Sequence, residues 1–415
     1  MEELKFPEGF KWGSATSAYQ IEGGNHNDWS SQCRNCLSLN PSRRPRIPCA
    51  GKACDSYNRY EEDFDIAKKL NQNIHRFSIE WSRIEPKEGR FDPEAMHHYV
   101  NVVKALRERG IEPMVTLWHF TNPVWFAEKS GWLNEKSPEY FTRYAKYVVD
   151  NLKDKVGLWI TFNEASDVYA AMSYYRGVWP PNKKNIFSAI KVVLNIIKAH
   201  TLAYQEIKKI YNVPSPVLDL NGSVSHNMEP LVGIVENNRH FIAGNFLRRL
   251  RQRVWEYYRN RYLLDRVQSS IDFIGLNYYT IDRLFGSYSV LPKQPTMEEM
   301  GWEIYPKGIY HELMALKSYK KPIFITENGI ADSKDEKREK FIKDHLRWVW
   351  QAIHDGADVR GYMYWSLLDN FEWAHGFGPK FGLVEVNYET FARKIRPSAL
   401  EYAKICKTNQ LEIDS

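Results

Sequence analysis

The feature that most constrains this chain is an alternation of short β-branched and aromatic runs with longer segments of helical periodicity. The candidate strands are Lys11–Ala18, Ile74–Glu80, Pro113–Trp118, Leu158–Phe162, Val217–Val224, Phe273–Tyr278, Pro322–Thr326 and Gly361–Ser366. Helical segments fall between them at Asn58–Leu70, Pro93–Arg109, Ser137–Leu152, Ile186–Tyr211, Asn237–Tyr262 and Lys337–His354. Eight parallel strands joined by crossover helices close more readily into a barrel than they remain an open sheet, because closure removes both edges. The expected fold is therefore α/β, a single (β/α)8 TIM barrel. No Gly/Ser/Pro-rich linker divides the 415 residues, so one domain over residues 1–415 is expected, with an unusual Cys-containing loop at about 25–55.

Composition narrows the class. With 43% hydrophobic residues the chain can bury a large core, and its net charge of +6 is spread along the sequence, which favours neither a nucleic-acid nor a membrane partner. The start, Met1-Glu2-Glu3-Leu4-Lys5-Phe6-Pro7, lacks an apolar leader core, and no later stretch reads as a run of ~18 apolar residues, so a soluble cytoplasmic protein is expected. The charged run Lys334–Lys340 reads as a solvated helix start. Sequence gives no signal for oligomeric state.

Four of the five cysteines, Cys33, Cys36, Cys49 and Cys54, fall in one short stretch with the spacing C-x2-C-x12-C-x4-C. Four thiolates could hold a structural zinc and fold a loop that has little core of its own. Free thiols and disulfides are the alternatives.

The active site of a TIM barrel lies at the carboxyl ends of its strands, so polar residues just after a β-type run are the candidates. Trp159-Ile160-Thr161-Phe162 leads into Asn163-Glu164, and Ile323-Phe324-Ile325-Thr326 leads into Glu327-Asn328-Gly329. One such glutamate is ordinarily a loop residue or a helix N-terminal charge. Two facing one another suit glycosidic cleavage, in which one carboxyl protonates the leaving oxygen and the other deals with the anomeric carbon. Other strand ends supply Gln20, His119, Asn163 and Glu372, suited to vicinal hydroxyls. Trp365 and Trp373 offer flat faces to the C–H side of a pyranose. Taken singly, His119 could be a core histidine and either tryptophan could be packing; their shared placement favours a small carbohydrate as partner.

These motifs resemble glycoside hydrolase family one, the β-glucosidase and β-galactosidase family, from Phe6-Pro7 to about Leu400. The resemblance rests on Phe10-Lys11-Trp12-Gly13 with Ala15-Thr16-Ser17-Ala18-Tyr19-Gln20-Ile21-Glu22-Gly23, and on Arg76-Phe77-Ser78-Ile79-Glu80-Trp81-Ser82-Arg83-Ile84. It rests equally on Thr161-Phe162-Asn163-Glu164, Ile325-Thr326-Glu327-Asn328-Gly329 and Trp365-Ser366-Leu367-Leu368-Asp369-Asn370-Phe371-Glu372-Trp373. It implies a retaining exo-β-glycosidase that needs no cofactor, with Glu164 as acid/base and Glu327 as nucleophile. It also implies that Arg76 and Tyr279 support an ionised Glu327. Gln20, His119, Asn163, Glu372 and Trp373 are implied to hold the non-reducing sugar above a Trp365 platform. Glu372-Trp373 stands where the family's 6-phospho-enzymes admit a phosphate, so an unphosphorylated glycone is implied.

The sequence departs from the family pattern at Ala165, where a proline is usual, at Phe120, where a tryptophan is usual, and through Thr121-Asn122-Pro123. It is short around Ser225–Arg261 and Asp282–Gly301, where loops normally shape the aglycone region. Two other functions fit the same residues: a transglycosylase using the same covalent intermediate, and a catalytically silent carbohydrate-binding barrel.

Overall fold

The computed structural model describes residues 2–33, 47–212, 229–242, 252–283 and 296–413. Its centre is a closed parallel barrel of eight strands. They are β1 (Lys11–Ala15), β2 (Ile74–Ser78), β3 (Glu112–Trp118), β4 (Leu158–Asn163), β5 (Leu231–Asn237), β6 (Phe273–Asn277), β7 (Ile323–Asn328) and β8 (Val359–Trp365). Each pairs with its neighbours in chain order, and β8 closes on β1. The covering layer contains α1 (Ser56–Lys69), α2 (Pro93–Glu108), α3 (Ser137–Leu152), α4 (Ile186–Asn212), α5 (Tyr262–Val267), α6 (Lys307–Leu316), α7 (Arg338–His354) and α8 (Pro397–Thr408). The (β/α)8 expectation holds.

Local chemistry explains the helix positions. Pro93 opens α2, and the Asp92 side chain accepts from the backbone N–H groups of Glu94 and Ala95, satisfying two donors that have no intrahelical partner. In α3, Tyr140, Phe141, Tyr144, Ala145, Val148, Val149 and Leu152 recur at helical spacing and are buried. The barrel interior is filled by strand residues including Ile74, Met114, Ile160, Val235, Phe273 and Met363. A separate apolar layer lies between strands and helices.

Five sequence expectations need correction. The fifth barrel strand is Leu231–Asn237, not Val217–Val224, which lies outside the described residues. Val217–Val224 is interrupted by Asp219, Asn221, Gly222 and Ser223, whereas Leu231–Val235 has no charged or amide residue and pairs with β4 and β6. The proposed helix Asn237–Tyr262 consequently fails at its start: Asn237 ends β5, and His240–Ile242 pairs as a short strand with Ile281–Arg283.

Helix α4 is, against expectation, long and apolar enough by composition to cross a membrane. In the structure it covers the barrel. Asn195 donates to the Trp132 carbonyl at 2.8 Å, and His200 bonds Thr161 of β4 at 2.7 Å and the Ser270 carbonyl at 2.8 Å. The charged run before α7 is not wholly solvated either. Arg338 is fully buried and donates to the Tyr364 hydroxyl, to Asp335 and to the carbonyls of Asp332 and Lys380.

The structure does not assemble a four-thiolate zinc centre. Cys33 and Cys49 form a disulfide, which removes two of the ligands, and Cys54 is buried with its thiol donating to the Asp369 carbonyl. Cys36 lies outside the described residues. Spacing alone cannot reveal that Cys54 faces inward.

Gly233 of β5 lies against Phe273 of β6, where an added Cβ would come within 2.5 Å of the ring. The same ring meets Phe324 edge-on, with centroids 5.2 Å apart. Gly233→Ala is therefore expected to destabilise the barrel by about 1–3 kcal/mol through overpacking. Phe273→Ala should cost about 3–5 kcal/mol by leaving a cavity. The midpoint of denaturant unfolding reads both.

Candidate active site

The carboxyl ends of the strands converge on Glu164 and Glu327. β4 ends at Asn163, and Glu164 turns the chain with φ +45°, a left-handed conformation that costs a non-glycine residue about 1–3 kcal/mol. Its backbone N–H is held by the Val235 carbonyl at 2.8 Å, and a π-helical segment, Ala165–Tyr175, follows. This turn places the Glu164 carboxyl against β5 and β6. Its Oε1 accepts from the side-chain amides of Asn277 at 2.7 Å and Asn237 at 3.0 Å.

Glu327 lies within β7, where the register sets it opposite Asn277 of β6. Arg76 of β2 donates from Nη1 to its Oε1 at 2.5 Å, and the Tyr279 hydroxyl donates to Oε2 at 2.5 Å. Arg76 is fully buried, and each nitrogen of its guanidinium is engaged. Nε donates to the Thr116 hydroxyl, Nη1 also to the Thr326 carbonyl, and Nη2 to Asn163 Oδ1 at 2.6 Å.

Burial pushes both carboxyl groups above their ordinary acidity, but their neighbours differ. For Glu164 the negative charges of Glu327 and Asp167 add to burial and drive the group well above the usual range, with the two asparagine amides opposing. For Glu327 the rise from burial is opposed by Arg76 and by the hydroxyl of Tyr279. Tyr279 remains a neutral donor because burial and the charge of Glu327 raise its phenol. These surroundings favour the proton on Glu164 and the negative charge on Glu327. Arg76 and Tyr279, the two residues expected beside Glu327, both donate to its carboxyl. The burial that works against them was not visible in sequence.

The side chains expected to bind sugar gather around this pair. Asn163 Oδ1 receives donors from Arg76 and, at 3.3 Å, from Asn277, so its amide nitrogen must face His119 Nε2, 3.3 Å away. His119 then accepts at Nε2 and carries its hydrogen on Nδ1, which has no protein partner among the described residues. Burial and the nearby Arg76 both hold it neutral. The Gln20 amide donates to Asn370 Oδ1, to the Phe371 carbonyl and, at 3.4 Å, to Glu372 Oε2. The Glu372 carboxyl is pushed up to about 8 by burial, then by Glu327 and Glu298. The rings of Trp365 and Trp373 are each nearly parallel to the His119 ring, with centroids 6.1 Å away.

The departures from the family pattern build a wall. Phe120, at φ +75°, packs against Trp373 and Trp179 with centroids 5.1 and 5.0 Å away. Asn122 ties this wall together. It accepts from the indoles of Trp118 and Trp132 and donates to Asp28 and to the Tyr169 hydroxyl.

Two contributors escaped the sequence reading. Asn277 stands in Asn277-Tyr278-Tyr279 with no sequence signal for its contact with Glu164, and a fifth strand at Val217–Val224 conceals Asn237. A polar residue ending the run Leu231–Val235 was the signal available for Asn237.

Comparison with known proteins defines the class. The model for glycosyl hydrolase family 1 matches residues 2–411. The chain belongs to this family of glycoside-cleaving enzymes. It is similar to a solved β-glycosidase from Pyrococcus horikoshii, with 38% identity, TM-score 0.85 and coverage of 99% of this chain and 97% of the other. It is also similar to a β-glucosidase from Thermotoga maritima solved with deoxynojirimycin, at 32% identity and TM-score 0.84 over 99% of this chain and 100% of the other. Among curated relatives, a β-galactosidase from Pyrococcus woesei is 30% identical, with 94% of each chain covered.

Removing the Tyr279 hydroxyl takes a donor from Glu327 and favours its neutral form. Tyr279→Phe should therefore shift the titration of the Glu327 carboxyl to higher pH. Carboxyl-labelled glutamate NMR would record the shift, and an unmoved resonance would exclude this role for the phenol.

Proposed function

We propose that the enzyme is a retaining exo-β-glycosidase that removes terminal non-reducing β-linked glucose, and also galactose, from oligosaccharides and aryl or alkyl glycosides. Glu327 attacks the anomeric carbon while Glu164 transfers its proton to the glycosidic oxygen, so the C–O bond breaks as the glycosyl ester forms. Water then gives its proton to Glu164 and attacks the anomeric carbon, releasing Glu327 as a carboxylate. The electrostatics support this order. Once Glu327 is esterified, the negative charge that helps keep Glu164 protonated is gone, so Glu164 can serve as base.

The observation that carries the reading is the unequal surroundings of the two carboxyl groups: a buried cation and a phenol at Glu327, two neutral amides at Glu164. A β-glucosidase and a β-galactosidase among the relatives favour a site that tolerates either sugar. An unphosphorylated glycone fits the carboxyl of Glu372 beside Trp373, since a phosphate there would meet a third acidic group near Glu327. Catalysis by the two glutamates calls for no metal or organic cofactor.

Glu327→Gln should lower kcat/KM on an aryl β-glucoside by more than roughly a thousandfold. Glu164→Gln should lose about 10²–10⁴-fold on poor leaving groups and much less on activated ones, with azide restoring turnover as a glycosyl azide. Unchanged turnover in Glu327→Gln would remove it as the nucleophile.

Proton NMR of an early hydrolysis time point should show the β-anomer of the released sugar. Initial release of the α-anomer would instead require inversion.

A further inference from the structure

Next to Glu164 lies a second buried acidic pair that the glycosidic reaction does not use. Asp167 sits in the first turn of the π-helical segment that begins after Glu164, and Glu236 is the residue of β5 just before Asn237, whose amide holds Glu164. Both are buried, with 8% and 1% of their surface exposed. One oxygen of Glu236 accepts from the Ser166 hydroxyl at 2.6 Å. Its other oxygen meets no side-chain donor among the described residues, nor do the oxygens of Asp167, which has its own backbone N–H nearby, although the two carboxyl groups lie within hydrogen-bonding reach of one another. Facing carboxylates repel, and buried acceptor oxygens short of donors are costly. A single proton placed between them supplies the missing donor.

The charges nearby decide which group carries that proton. Asp167 faces Arg259, whose Nη2 is 3.8 Å from its Oδ2, and it also feels Arg239. Among the described residues, Glu236 has the serine hydroxyl and the negative neighbour Asp167. Asp167 is the better anion, and Glu236 keeps the proton.

We propose that Asp167 and Glu236 share one proton, resident on Glu236, and that the resulting Asp167 anion is a positioning residue that keeps Glu164 protonated for its role as acid. The proposal rests on the assignment of Glu164 as acid/base. The charged and titratable groups that bear on Glu164 are Glu327, Asp167, Glu236, Arg239 and Tyr279, with the amides of Asn237 and Asn277 in direct contact. Arg259 bears on Asp167, and Asp282 lies 3.9 Å from Arg239. The order of influences on Glu164 agrees: burial acts first, then Glu327, then Asp167. The geometry also assigns a purpose to the two residues after Ala165. Ser166 orients Glu236, and Asp167 presents the charge.

The sign of the effect follows from Coulomb's law. Asp167→Asn removes an anion near Glu164 and leaves Arg259 and Arg239 less balanced, so both changes favour ionised Glu164. Glu236→Gln puts an amide N–H where the proton was, and the Asp167 anion is preserved.

The test combines the pH dependence of kcat/KM on an aryl β-glucoside with carboxyl-labelled glutamate NMR, which follows Glu164 without relying on turnover. In Asp167→Asn the basic limb and the Glu164 resonance should both move to lower pH, by roughly one unit. In Glu236→Gln both should stay at their wild-type positions, whereas in Glu236→Ala both should fall. The proposal is overturned if Asp167→Asn leaves the Glu164 resonance unmoved, or if Glu236→Gln displaces it as far as Asp167→Asn does. A resonance that moves while the limb stays would uphold the pair and remove Glu164 as the acid. A measurement independent of how well Asp167→Asn folds is the infrared difference spectrum of wild type against Glu236→Gln at neutral pH. It should show the loss of a protonated-carboxyl C=O stretch, and its absence would place no proton on Glu236.

Discussion

The buried ion pair between Arg76 and Glu327 is the contact on which the rest of the site depends. A guanidinium taken out of water costs several kcal/mol, and the cost is offset only if the partner anion and the remaining N–H groups are well placed. Here one side chain from β2 reaches Thr116 of β3, Asn163 of β4, and both Thr326 and Glu327 of β7. A lysine has three donors at a single point and could not hold these diverging partners. The consequences continue outward. Because Asn163 Oδ1 is committed to Arg76, its amide nitrogen faces His119, and His119 is left with a hydrogen on the nitrogen that has no partner among the described residues. One residue thus bears on both the charge of Glu327 and the hydrogen-bond pattern at Asn163 and His119.

The barrel makes the two carboxyl groups different without separating them. Both are buried, so burial raises both, and the distinction comes from what each strand end supplies. β2 and the residues after β6 bring a cation and a phenol to Glu327. β5 and β6 bring only neutral amides to Glu164. Asn277 stands between the two systems: its amide donates to Glu164 while its Oδ1 accepts from the Thr326 hydroxyl, next to the nucleophile. A change in charge at Glu327 is therefore felt at Glu164 through space and through a shared neighbour.

Much of this was legible in the sequence because strand ends carry a local signal. β4 and β7 are uninterrupted apolar runs, each closed by a polar cluster, so Asn163, Glu164 and Glu327 stood out. β5 was harder. Its run Leu231–Val235 competed with Val217–Val224, and pairing partners that lie far away in sequence decided between them. That displacement concealed Asn237 and Glu236. The cysteine spacing failed for a related reason, since it cannot report that Cys54 faces Asp369 or that Cys33 and Cys49 meet. The effect of burial on acidity was also hidden, because it belongs to the closed barrel rather than to any segment.

The position of β5 bears directly on the surroundings of Glu164. The family motifs fix Arg76, Asn163, Tyr279 and Glu327, which govern the anionic half of the reaction. The protonated half depends on the residues after Glu164 and on how β5 ends, and there the chain departs from the usual pattern at Ala165. A strained Glu164 backbone, a π-helical turn and a strand end carrying two consecutive polar side chains converge on one carboxyl group. Strain of this kind persists only where the surroundings over-determine it. The hydrogen bond to Val235, the two amides and the Ser166–Glu236 contact provide that constraint. The charge of Glu327 thus depends on Arg76 and Tyr279, and the acidity of Glu164 on the ends of β5 and β6 and on the turn that follows it.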